Sequence, residues 1–337
     1  MVVDSVRIRH LLADKPLPLV AEPTDQNIDL VKWTKRNIDL IESALLTEGS
    51  VLFRGFGSGS MEFFRQFADV PISEYMAYEF ALTLRPRVSD YIYKSSMSPP
   101  DFFMALHNDC CAQRDWPTKV IFFCAVPAER GGETPLADCR KVYNRLTPEV
   151  RDKFARLGVM YIRDIPEAEL ADVFGSSSTS YIDAYCKRND FDFEWDHKGG
   201  IHVCFVAQAV IEHPKTAEML WFNHAHSYLR SGYPFLREPR PIPRPVAAIP
   251  YERENDGLYA HYGDGSPIDA GAIYEIHNAY MAEAIAFPWQ KGDILLLDNM
   301  LVAHGRNRFA GEREILLAMG DSYRSLVARR GKTVATP

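Results

Sequence analysis

Long apolar runs are missing from this chain. No window approaches the 18 or so apolar residues that a membrane-crossing helix needs, so no spanning segment is expected. The first 30 residues lack a basic start followed by a continuous apolar stretch, which argues against a secretory leader. Runs of like charge are missing too. Lys and Arg number 38 against 45 Asp and Glu, for a net charge of -7, and no basic face suited to nucleic acid is visible. The densest basic stretch, "RSLVARRGK" (324–332), reads as a solvated tail. Six cysteines occur without a C-x-x-C pair, which excludes a zinc ribbon. A chain this long needs no disulfides to hold a core, so buried thiols in a reducing cytoplasm are expected. Internal repeats and long low-complexity segments are also lacking.

What is present is an ordinary globular composition, 47% apolar and 12% aromatic, over 337 residues. "VKWTKRNIDLIESALLTEG" (31–49) has helical spacing and stops at a glycine, which predicts a C-capped helix. "SVLFRGF" (50–56) follows as a strand, and "SMEFFRQFAD" (60–69) opens with a serine N-cap. "TKVIFFCAV" (118–126) reads as a fully buried strand. "DCRKVYNRLTPEVRDKFARLG" (138–158) reads as helix interrupted near Pro148. From about residue 200 strand signals dominate: "IHVCFVAQAVIEH", "EMLWFNHAH", "DILLLDNMLVAHG" and "REILLAMGDSY". One helical run, 269–285, lies among them, and "PFLREPRPIPRP" (234–245) reads as an extended surface loop. Many strands with peripheral helices predict a mainly β fold, a sandwich or barrel with helical additions.

The stretch "ALHNDCCAQRDWP" (105–117) carries the chemistry. On a strand, His107 and Asp109 would point to one face, since side chains alternate with period two. Such a pair alone is usually hydrogen-bonded and cannot fill a metal site. The best third ligand is His304, which "DILLLDNMLVAHG" delivers at the end of an apolar strand. Two histidines and a carboxylate on one face suit non-haem Fe(II) with open positions for a cosubstrate and O2. A zinc hydrolase on the same three residues and a non-catalytic jelly-roll binding protein are the competing readings.

Four local matches, in order along the chain, carry a resemblance to the taurine dioxygenase and clavaminate-synthase-like family of Fe(II)/2-oxoglutarate oxygenases. They are "HND" (107–109), "GGETPLAD" (131–138), "LDNMLVAHGR" (297–306) and "EREILLAM" (312–319). "VLFRGF", "FEWDHKGG", "WFNHAH" and "YGDGSPI" are similar to the branch of syringomycin-type hydroxylases. The resemblance implies a single domain over 1–337 with a double-stranded β-helix, or jelly roll, at its core. Residues 70–106 and 160–200 would build the substrate pocket and lid, and 324–337 would be a tail. It implies that His107, Asp109 and His304 bind Fe(II), and that Thr134 and Arg313 hold the distal carboxylate of 2-oxoglutarate. Arg306 and Arg308 compete for that role, because His304 and Arg313 stand closer together than in the taurine enzyme. Where that enzyme has an arginine for its sulfonate, this chain has Leu317, so a sulfonate substrate is not expected. Arg114 and His224 are candidate substrate contacts. Cys110 and Cys111 are expected to pack rather than ligate. The implied activity uses O2, converts 2-oxoglutarate to succinate and hydroxylates an unactivated C–H, with desaturation, epoxidation or ring closure as variants. Halogenation is set aside, because halogenating relatives lack the carboxylate ligand. The implied substrate is an amino acid, a peptide or a carrier-tethered aminoacyl group; a homo-oligomer is compatible with all of this.

Overall fold

The computed structural model describes residues 1–12, 15–25, 27–57, 59–80, 85–229 and 258–324. The proline-rich loop at 234–245 and nearly all of the expected tail lie outside the described residues. A nine-stranded sheet dominates. Across it run Val2–Val3, Val6–Leu12, Lys15–Pro23, Ser50–Phe53, Ile294–Asp298, Asp115–Val126, Glu314–Arg324, Ile92–Lys94 and Arg87–Ser89. All neighbours are antiparallel except Lys15–Pro23 and Ser50–Phe53. A three-stranded sheet orders Leu136–Asp138, Val302–Arg306 and Met104–His107. A four-stranded sheet orders Asp192–Trp195, Ile201–Ala207, Val159–Ile165 and Leu258–Tyr262. This is the jelly roll that the resemblance implied, with added sheet and helices.

The central strands of the large sheet are apolar without alternation because both their faces are covered. Ile121, Phe123, Ile294, Leu296, Leu316 and Ala318 point to one side, where they join Leu30, Trp33, Ile41, Leu45, Phe64 and Phe67 of the helical layer. Phe64 stacks on Phe123 with centroids 5.0 Å apart. The intervening residues Val120, Phe122, Cys124, Leu295, Leu297, Leu317 and Met319 point the other way, into the larger core that holds the functional residues. Period two thus sorts one apolar run into two cores.

Local signals are met in detail. Ser60 caps Met61–Ala68 by accepting from the Phe63 amide. Pro148 opens a second helix, Pro148–Leu157, after Cys139–Arg145 has ended. The predicted helix over 31–49 is in fact two, Leu30–Arg36 and Ile38–Glu48. Asn37 parts them: its side chain and its amide both donate to the Trp33 carbonyl, closing the first helix. The predicted strand over 293–305 is also two, Ile294–Asp298 and Val302–Arg306, in different sheets. "EMLWFNHAH" keeps only Met219–Trp221 as strand before a 3-10 turn over Ala225–Leu229.

Residues 160–200, expected as pocket and lid, are mostly regular structure. Phe191 of this segment stacks on Phe205 at 4.2 Å, beside Phe80, Phe174 and Tyr185. No described helix is long and apolar enough to cross a membrane.

Gly49 shows how tightly the helical layer sits on the site-bearing strands. It closes Ile38–Glu48 at φ +77°, and a Cβ there would lie 2.4 Å from Val302 Cγ2. Gly49→Ala should therefore cost about 1–3 kcal/mol, read as a lower denaturation midpoint at unchanged slope.

Candidate metal and cosubstrate centre

The three-stranded sheet brings the ligand residues together. His304 is paired directly across from His107 and, on its other side, from Leu136. Cross-strand neighbours lie close, and the two imidazole centroids are 4.7 Å apart. His107 ends its strand, so Asp109 is not on a strand as expected but in the turn that follows. Its placement comes from Asn299. That amide side chain accepts from the Asp109 backbone N–H and donates to the carbonyls of Asp109 and Pro117, each at 2.9 Å. Asn108 returns a bond from its side chain to the Asn299 carbonyl at 2.7 Å. Asp298 shapes the turn on the other side by accepting from the amides of Met300 and Leu301. The "LDN" motif thus contributes no ligand; it locks the ligand turn to the His304 strand.

One ligand atom from each of His107, Asp109 and His304 can be chosen so that all lie within 4.8 Å of one another, and all three residues are buried. The His107 Nδ1 lies 2.8 Å from the Ala105 carbonyl, which can only accept. That places the proton on Nδ1 and leaves the Nε2 lone pair facing Asp109. Burial, then the nearby His304 and His224, push the His107 imidazole well below its usual range, so it stays neutral. Burial alone would raise Asp109. The Arg85 guanidinium, 2.7 Å from Oδ1, together with His304 and His107 outweighs it and holds the carboxyl well below the usual carboxylate range. Both residues are in the protonation state a metal requires. Asp109 Oδ2 and His304 Nε2 face each other at 3.5 Å, and neither they nor His304 Nδ1 make a hydrogen bond of good geometry among the described residues. Such atoms are costly unless something binds them. Two imidazoles and one carboxylate fit Fe(II).

A cavity leads away from the histidines, lined by Arg85, Phe122, Thr134, Arg306 and Arg313 among others. Phe122 meets the His304 ring edge-on at 4.9 Å. The Thr134 hydroxyl accepts from the Trp289 indole at 3.1 Å. Arg313 directs Nε to the Gly132 carbonyl at 2.9 Å, and a Cβ on Gly132 would come 2.9 Å from Arg313 Cδ. The glycine of "GGETPLAD" therefore makes room for the arginine. Burial, then the charge of Arg306, push the Arg313 guanidinium down to about 10. No carboxylate pairs with it among the described residues. Arg306 is also buried, but it is committed to the carbonyls of Ser98, Pro99 and Phe102. Arg308 reaches the Asp101 carbonyl from the surface.

The remaining candidates divide. The His224 ring lies 5.3 Å from His107, and its amide donates to the Tyr161 hydroxyl. Arg114 is ion-paired with Asp190 and does not line the cavity. Cys110 and Cys111 are buried, and burial raises both thiols far above their usual range. Arg85 and Trp289 went unnoticed in the sequence: their partners lie 24 and 155 residues away, and nothing local marks them.

A His-Asp-His set of this kind beside a cavity lined by buried arginines is the architecture of the Fe(II)- and 2-oxoglutarate-dependent oxygenases, which use O2. The chain belongs to the taurine catabolism dioxygenase TauD, TfdA family, whose model matches residues 13–319. It is 29% identical over 324 residues to the dapdiamide synthesis protein DdaC of Enterobacter agglomerans, covering 94% of this chain and 95% of that one. A clavaminate synthase-like protein of Arabidopsis thaliana is 25% identical over 326 residues, covering 90% and 94%. The fold matches PvcB of Pseudomonas aeruginosa with a TM-score of 0.54 at 13% identity, over 95% of this chain and 92% of that one.

Removing the Asn299 side chain isolates the contribution of the locking turn. Asn299→Ala would strand the buried amide and carbonyl of Asp109 and the carbonyl of Pro117, at about 1–3 kcal/mol each before relaxation. The expected result is a lower melting temperature together with weaker Mn(II) affinity. Unchanged metal affinity would show that Asp109 is placed by other contacts.

Proposed function

We propose that this enzyme oxidises an unactivated C–H bond of an amino acid, a peptide or a carrier-tethered aminoacyl group in specialised metabolism, with hydroxylation as the default outcome. Desaturation, epoxidation and ring closure share the same beginning. His107, Asp109 and His304 hold Fe(II), and Arg313 with Thr134 holds the distal carboxylate of 2-oxoglutarate. When bound, the iron supplies O2 activation coupled to conversion of 2-oxoglutarate to succinate. The chain supplies the rest: a neutral His107 imidazole, an ionised carboxylate, a buried cavity and a fixed cosubstrate orientation.

One observation carries the cosubstrate assignment. Arg313 is a buried guanidinium without a carboxylate partner among the described residues, and it lines the same cavity as the two histidines. A buried charge of this kind is expensive until an anion meets it, and the guanidinium fork matches a carboxylate. A zinc hydrolase on the same three residues would have no use for this arginine. A role in specialised metabolism is supported by the relative named for dapdiamide synthesis, and by PvcB, described as an oxygenase from an isonitrile synthetic pathway. A sulfonate is disfavoured because Leu317 is fully buried in the apolar core. Asp109 keeps the carboxylate ligand that a halogenating site would need to lose. The 5.3 Å between the His224 and His107 rings supports a substrate contact by His224. Arg114 would have to leave Asp190 to make one.

Anaerobic addition of Fe(II) and 2-oxoglutarate should produce a weak visible charge-transfer band that neither gives alone. His304→Ala should abolish the band and the succinate release while the protein stays folded. Arg313→Ala should raise the Michaelis constant for 2-oxoglutarate by about tenfold or more and leave that for substrate little changed. The same effect from Arg306→Ala instead would reassign the cosubstrate arginine. Succinate release across amino acids, dipeptides and aminoacyl carrier proteins then identifies the substrate class.

A further inference from the structure

Arg85 is among the least solvent-accessible charges in the protein: its side chain and that of Asp109 are each 3% exposed. Only one of its nitrogens is well matched. Nη2 donates to Asp109 Oδ1 at 2.7 Å. Nη1 has the Met319 thioether at 3.9 Å, a weak acceptor. Nε is buried with no partner among the described residues. The guanidinium lies over the Tyr78 ring at 4.6 Å, which fixes its plane without satisfying its donors. A guanidinium has five N–H donors and cannot shed its charge, so this arrangement is incomplete.

The same side chain lines the cavity that runs past His107 and His304 to Thr134 and Arg313. The charge count there is lopsided. Arg85, Arg306 and Arg313 all line the cavity, and Asp109 is the one carboxylate paired with any of them among the described residues. A bound divalent metal adds two more positive charges, and a dianion offsets part of this excess. 2-Oxoglutarate is one, and a carboxylate bound at each end needs a donor at each end.

We propose that Arg85 is a second arginine of the cosubstrate site: it fixes Asp109 through Nη2 and offers its unmatched donors to the metal-end carboxylate of 2-oxoglutarate. The diacid then lies between two guanidiniums, Arg85 beside the iron ligands and Arg313 at the far end. This rests on the oxygenase reading above and adds to it a residue that binds whichever 2-oxo acid occupies the iron, regardless of its tail.

The test uses the full-length protein loaded with saturating Mn(II) under anaerobic conditions, with calorimetry as the readout. Two ligands separate the two ends. 2-Oxoglutarate has both carboxylates, whereas 2-oxobutyrate has only the one next to the oxo group. Arg85→Met should weaken both by the same factor, roughly tenfold or more. Arg313→Met should weaken 2-oxoglutarate by a similar factor and leave 2-oxobutyrate unchanged. Mn(II) affinity is measured separately for each variant, so that a shift of Asp109 is not counted as a lost ligand contact. Arg85→Lys serves if the methionine variant does not fold; with one compact donor group already drawn to Asp109, it should show the same loss for both ligands. The inference is overturned if either foldable Arg85 variant keeps wild-type affinity for 2-oxobutyrate at saturating metal. The broader reading fails differently: the wild-type protein would then bind neither ligand, or Arg313→Met would leave 2-oxoglutarate binding intact.

Discussion

The centre depends on one clamp of hydrogen bonds, the side-chain amide of Asn299 against the backbone of Asp109 and Pro117. The two histidines need no such device, since register pairing across adjacent strands brings them together. The carboxylate does. It sits beyond the end of its strand, in a turn where Cys110 takes a positive φ of 58°. An unsupported turn would let a short side chain wander by more than a metal tolerates. Asn299 removes that freedom by tying the turn to the segment that goes on to carry His304. The ligand triad is therefore one rigid unit rather than three independent residues.

Charge is the second organising constraint. The site is buried, and positive groups outnumber negative ones along its cavity. Such an arrangement is poor for stability on its own, because each buried guanidinium forfeits hydration that only partial pairing returns. It is well suited to capturing an anionic cosubstrate, since the unpaid desolvation has already been incurred before the ligand arrives. Arg306 shows the alternative treatment: its charge is dispersed over three backbone carbonyls, which turns a potential ligand group into a brace for the 98–102 loop.

Much of this was legible in the sequence, for local reasons. Ser60, Gly49 and Pro148 act within one helical turn of where they stand, so their caps and breaks could be read directly. His107, Asp109 and His304 are legible because their motifs stand in order along the chain, although Asp109 lies in the turn after its strand and not on it. The misread elements share a cause. Residues 31–49 and 293–305 each carry one uninterrupted apolar pattern, and the breaks at Asn37 and Asn299 depend on side-chain hydrogen bonds that periodicity does not register. Arg85 was illegible for a related reason. It resembles Arg87 two residues on, yet Arg87 pairs with the exposed Asp90 while Arg85 meets the buried Asp109. Only the tertiary fold distinguishes them.

The thiols beside the centre have a bearing on durability. Cys110 and Cys111 follow Asp109 directly in the chain, at a place where oxygen is to be activated. Oxidation of cysteine proceeds through the thiolate and needs access, and both are withheld here: the two side chains are buried, and burial keeps their protons on. Small, soft side chains thus fill the space under the ligand turn without becoming the first casualties of uncoupled turnover. The same burial that packs the ligand turn thus shields two oxidisable side chains.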